Sequence, residues 1–198
     1  RGIGARPHPH AGIEVISYLL SGGVTHRDSM GFRDEIGPGD AQWIRAGRGI
    51  LHAEAPTANR HGLQLWTSLP PHRKFAEPAY ASWRAADIPG HDTPGARTVV
   101  LAGRVSELVG PMQLATPTTF AHVRLQASAA PTPTVDAGEE LGAYVMAGAI
   151  STGGAAATAW GARATLTPAP HTALLPRPAR PALGTPGGPQ AARRARVS

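Results

Sequence analysis

Two short stretches carry metal-ligating side chains at the same close spacing. His8-Pro9-His10 stands just ahead of an apolar run that begins at Ile13, and His52-Ala53-Glu54 lies inside "GRGILHAEAP". Residues i and i+2 of a β-strand project from one face, so each stretch, when extended, aims two ligating groups at one point. A single His-x-His pair among nine histidines carries little weight. A second pair of matched spacing behind a glycine turn adds to it. Three imidazoles and a carboxylate suit a divalent ion of iron, manganese, nickel, copper or zinc, and exclude a soft all-sulfur centre. Four protein ligands on an octahedral ion leave two adjacent positions open, where a substrate and dioxygen could both bind.

Such a site needs strands to position it, and the sequence offers many. Short apolar or alternating runs recur at Ile13–Leu20, Val24–Arg27, Phe32–Ile36, Ala41–Arg45, Ile50–Ala55 and Gly62–Leu69. Between them fall "SGG", "DSMG", "GPGD" and "AGRG", each with a glycine for a positive φ or a proline to start a turn. Helical periodicity is nowhere sustained over ten residues, so the pattern predicts a many-stranded antiparallel β protein. Residues 71–96 read as an irregular, partly helical connector. Beyond it Arg97–Gly103, Thr119–Gln126, Leu141–Ala147 and Ala155–Ala159 repeat the strand pattern, and residues 168–198 form a Pro- and Arg-rich tail. Two β units in tandem are expected, over residues 1–70 and 97–167.

With 198 residues, 41% of them apolar, the chain is long enough for one large core or two small ones. It shows no 18-residue apolar stretch and no secretory signal pattern, so a membrane partner is not expected. Zero cysteines exclude disulfides and thiolate ligands, and fit a cytoplasmic location. The formal charge of +6 invites thoughts of nucleic acid. Residues 1–140, however, hold 13 basic and 13 acidic residues, and the whole excess lies in six later arginines. A balanced body argues against a nucleic-acid partner.

"HPHAGIEVISYLLSGGVTHRDSMG", "GPGDAQWIRAGRGILHAE" and "GLQLWTSLP" resemble the signature blocks of the pirin family of the cupin superfamily, its bacterial members included. Weaker similarity continues in "GPMQLATPTTFAHVRL" and "GEELGAYVMAGAI". The resemblance implies an all-β bicupin, two double-stranded β-helix barrels in tandem, with the metal in the first and no ligands in the second. It implies His8, His10, His52 and Glu54 as ligands, Fe(2+) as the metal, and a monomer. The family carries a strand-containing segment ahead of the His-x-His motif, so the first barrel is expected to lack its N-terminal strands. The general cupin pattern uses a glutamate placed like Glu14, whereas pirins use the one two residues after the third histidine. Glu54 is therefore taken as the ligand, and Glu14 as an acid on the same face inside the barrel.

Two functions follow from the resemblance. One is a quercetin 2,3-dioxygenase that opens a flavonol with O2, with Glu54 or Glu14 as the base. The other is a non-catalytic, metal-dependent regulator that docks a protein partner, a transcription factor or a metabolic enzyme. His26 is expected to be a structural hydrogen-bonding group, and His61, His72 and His91 to be solvated. His122 and His171 stand without a partner two residues away, and Trp43 and Trp66 are expected to pack in the barrel core.

Overall fold

The computed structural model describes residues 5–127, 129, 141–152, 155–158, 163–166 and 174–176. Eight strands make the first half: β1 (Ala5–His10), β2 (Ile13–Ser21), β3 (Val24–Asp28), β4 (Arg33–Ile36), β5 (Ala41–Arg45), β6 (Ile50–Pro56), β7 (His61–Ser68) and β8 (Ala79–Trp83). They form two four-stranded antiparallel sheets, in the orders β1-β6-β3-β4 and β7-β2-β5-β8. The sheets face each other, because His26 of the first stacks on Tyr80 of the second and Gln42 of the second bonds to Glu54 of the first. This is the all-β, cupin-type architecture that the sequence implies.

Sheet alternation explains what fills the space between them. At one end Val15, Ile44, Ala46 and Ile50 form an apolar cluster, and at the other Leu19, Val24 and Ile36 form a second. Each buried Val, Leu or Ile among them contributes roughly 1.5–3 kcal/mol by leaving water. Between the two clusters, on the same inward positions, lie Ser17, Gln42, His26, His52 and Glu54, all buried. The barrel therefore holds a polar layer between two apolar ends.

β2 is buried along six consecutive residues, from Glu14 to Leu19. Its inner face lines the barrel, and its outer face packs Ile16 and Tyr18 against Leu101, Ala102 and Met112 from the second half. A strand covered on both sides has no polar face to show, which accounts for the apolar run that follows the first two histidines.

The stretch read as a connector contains more order than expected. Two short 3-10 helices occur at Pro71–Arg73 and Ala85–Asp87, and between them β8 pairs with β5 and completes the second sheet. Beyond it run β9 (Gly90–Thr93), β10 (Ala96–Ala102), β11 (Arg104–Val105), β12 (Leu108–Val109) and β13 (Phe120–Leu125). They are followed by β14 (Leu141–Tyr144), β15 (Ala149–Thr152), β16 (Ala155–Thr158), β17 (Arg163–Leu166) and β18 (Leu174–Pro176). β10 pairs with β9 and β13, β11 with β12, β14 with β17, and β15 with β16 and β18. β18 thus brings part of the Pro- and Arg-rich tail into a sheet. The rest of residues 168–198, with His171, lies outside the described residues. Among the described residues no helix is long and apolar enough to cross a membrane.

Candidate metal centre

β1 and β6 are antiparallel neighbours, with His8 opposite His52 and His10 opposite Ile50. Residues opposite one another share a face, so the three histidines enter the barrel together. His8 Nε2 lies 3.1 Å from His10 Nε2 and 3.0 Å from His52 Nε2. The three ligating atoms fall within 4.8 Å of one another.

Three ring nitrogens turned toward one another favour a cation between them. His8 Nδ1–H donates to the Arg6 carbonyl at 2.7 Å, which turns its Nε2 toward the other two rings. Burial, assisted by the neighbouring histidines against an opposing pull from Glu54, lowers the pKa of the His52 imidazole to about 4. Burial and then His8 lower that of His10. Neutral rings that turn nitrogens toward one another repel unless a proton or a metal ion lies between them.

The spacing fits a metal. Two imidazole nitrogens on one ion, with bonds of about 2.1 Å, stand about 3.0 Å apart at a right angle and about 3.4 Å apart at the tetrahedral angle. The observed 3.0 and 3.1 Å match the right angle. An octahedral ion suits that donor geometry better than a tetrahedral one.

Glu54 comes from β6 on the same inward face but stands to one side of the trio. An oxygen of its carboxylate lies within 4.8 Å of ring nitrogens of His52 and His26. Its Oε1 accepts from Gln42 Nε2 at 2.6 Å, and its Oε2 from Arg60 Nη1 at 3.0 Å. Gln42 is held in turn: the Tyr80 hydroxyl sits 3.3 Å from its Oε1 and 3.1 Å from Asp34 Oδ2. Burial drives the Asp34 carboxyl up, but hydrogen bonds from Ser82, Arg84 and Tyr80 outweigh it and hold the group below the usual carboxylate range. Burial and the Asp34 charge beside it push the Tyr80 phenol up. Gln42 turns its NH2 to Glu54 and its carbonyl oxygen to Tyr80, whose one hydroxyl proton is shared between that oxygen and Asp34.

His26 is fully buried, donates from Nε2 to Asp28 Oδ2 at 3.0 Å, and stacks on Tyr80 with centroids 4.2 Å apart. That is the structural bond expected of it. Nδ1 of His26 and Nδ1 of His52 are buried without a hydrogen-bond partner. His61, His72 and His91 are exposed. His122 is buried and meets the Tyr18 hydroxyl at 3.2 Å.

Three expectations need correction, those for Glu14, Trp66 and Trp43. Glu14 does not face the metal centre. Strand parity carries from His10 to Glu14 only along one unbroken strand, and Gly12, at φ +68°, turns the chain from one sheet into the other. Glu14 therefore points out of the barrel toward the second half, where its 1% exposed side chain accepts from Trp43 Nε1 at 3.1 Å and from Ala115 N–H at 2.9 Å. Trp66 is not core either. It is 54% exposed, donates to Gln64 Oε1 at 3.0 Å, and sets its ring edge to face with His10 at 4.9 Å, forming a wall of the site mouth. Trp43 packs between the two halves, against the cluster that holds Ile16 and Leu101.

Gln42, Tyr80 and Arg60 belong to the site although the motifs did not single them out. Gln42 and Ser17 had a signal: both are polar residues on the inward alternation of apolar strands. Arg60 had none, since it lies in the turn between β6 and β7.

A protein-family model described as Pirin matches residues 2–67. Pirin-1 of Arabidopsis thaliana is 38% identical over 142 residues, 71% of this chain and 50% of that protein. The chain spans about half the length of the curated relatives it matches. Among solved structures, a quercetin 2,3-dioxygenase from Acinetobacter baumannii is 28% identical with a TM-score of 0.81, covering 87% of this chain and 64% of that one. A bacterial pirin, YhhW from Escherichia coli, in complex with nickel(II), is similar in fold at 20% identity and a TM-score of 0.60, covering 87% of this chain and 71% of that one.

Proposed function

This chain belongs to the pirin family, and from that premise we propose that it is a metal-dependent oxygenase of the quercetin 2,3-dioxygenase type. Its substrates are a flavonol-like aromatic and O2, and its products a ring-opened ester and carbon monoxide. His8, His10 and His52 hold one divalent ion, Fe(2+) in our reading, with Glu54 as the fourth group. The observation that carries the proposal is the convergence of three imidazole nitrogens, at 3.0 and 3.1 Å, beside an exposed indole. The likeness to a solved quercetin 2,3-dioxygenase supports it.

A bound divalent metal supplies Lewis acidity and one-electron exchange with dioxygen. The protein's own groups do the rest. Trp66 offers a flat face beside His10, on which a planar aromatic can stack. Glu54, held between Gln42 and Arg60, takes the proton of the flavonol 3-hydroxyl. Its hydrogen bond from Gln42 holds the receiving carboxylate in place.

The test is turnover. Protein reconstituted with Fe(2+) or nickel and given quercetin in air should consume O2 and release carbon monoxide in equal amounts, and His10→Ala should abolish both. Stoichiometric metal with no turnover removes the oxygenase reading and leaves the metal-dependent docking protein.

A further inference from the structure

We propose that Arg60 competes with the metal ion for the Glu54 carboxylate, and so gives this group a resting place off the ion. The inference rests on the reading of Glu54 as the fourth group of the metal centre.

Two partners hold Glu54, and they differ in kind. Gln42 belongs to the barrel wall and is fixed by Tyr80 from behind. Arg60 reaches in from the turn between β6 and β7, with its side chain 31% exposed while that of Glu54 is 4% exposed. The turn is anchored near its start, where Thr57 N–H donates to the Gly23 carbonyl at 3.0 Å. Its guanidinium occupies Oε2 at 3.0 Å, and Gln42 occupies Oε1. Each oxygen thus has one partner and one lone pair left over.

The compact trio of ligating nitrogens excludes Glu54, which groups with His26 and His52 instead. For an oxygen of Glu54 to reach an ion held by the trio, the carboxylate must shift from the place where Arg60 and Gln42 hold it. A cation and a metal ion thus draw on the same buried negative charge. The arrangement also resolves a chemical conflict. A carboxylate bound to a metal is a weak proton acceptor, whereas one paired with Arg60 beside the metal keeps a lone pair for a substrate proton. Arg60 is a positioning residue in this scheme and need not touch the substrate.

The experiment is a double-mutant cycle on metal affinity, with Co(2+) as the probe and its visible absorption as a second signal. Arg60→Gln should tighten Co(2+) binding by about fivefold to tenfold and alter the visible bands, as Glu54 moves onto the ion. In the Glu54→Gln background the same substitution should leave affinity and spectrum unchanged. Equal affinity in wild type and Arg60→Gln overturns the inference. So does tightening that persists without Glu54, since that would be charge repulsion alone. Failure of the wild-type protein to bind Co(2+) overturns the metal-centre reading and this inference together, whereas the first two outcomes leave the metal centre intact.

Discussion

Gln42 shows how one neutral side chain can set the state of a charged one. Buried at the centre of the barrel, it gives its amide to Glu54 at 2.6 Å and turns its carbonyl to Tyr80. A hydrogen bond to a charged group is worth about 1.5–3 kcal/mol, and a buried carboxylate left without it bears a desolvation cost of the same order. Gln42→Leu keeps the volume roughly the same and removes the donor. Its free energy of unfolding in urea should fall by about 2 kcal/mol. A loss below about 0.5 kcal/mol, within the spread of ordinary surface substitutions, would show that Glu54 does not depend on this donor.

At the scale of elements, the sequence was informative wherever a local rule applied and misleading where a rule crossed a break. β2 was legible because β-branched and aromatic residues crowd Ile13–Leu20, and the observed strand ends one residue later. His8, His10 and His52 were legible because i and i+2 spacing needs nothing beyond extension. The Glu14 reading failed at Gly12, where parity starts afresh in a new sheet. Trp66 was misplaced for a different reason. It shares the alternation of Gln64, and the two face the site mouth, while Leu65 packs outward on the core between the halves. Attention to that alternation, rather than to aromatic character, would have placed it. β8 was missed because Ala79–Trp83 has no alternation: all five residues are half-buried. Arg60 was beyond reach, since a turn residue acquires its partner only through tertiary structure.

Across the whole molecule, the outer face of the second sheet is closed by the second half, and Tyr18 on β2 reaches His122 on β13 at 3.2 Å. Burial, and then the charge of Arg124, lower the His122 pKa below its ordinary 6.5. The folded protein therefore takes up this proton at lower pH than the unfolded chain. The stability that this confers is present above about pH 6.5 and declines as pH falls toward the lower native value. The difference in urea midpoint between wild type and His122→Gln should shrink from pH 8 to pH 5.5, and parallel curves would contradict the assignment. The most direct test concerns the first barrel. Wild-type protein loaded with Ni(2+), desalted and analysed for metal should retain one ion per chain, and His52→Ala should retain essentially none. Wild-type protein that keeps no metal, or a variant that keeps as much as wild type, would contradict a metal centre built on His8, His10 and His52.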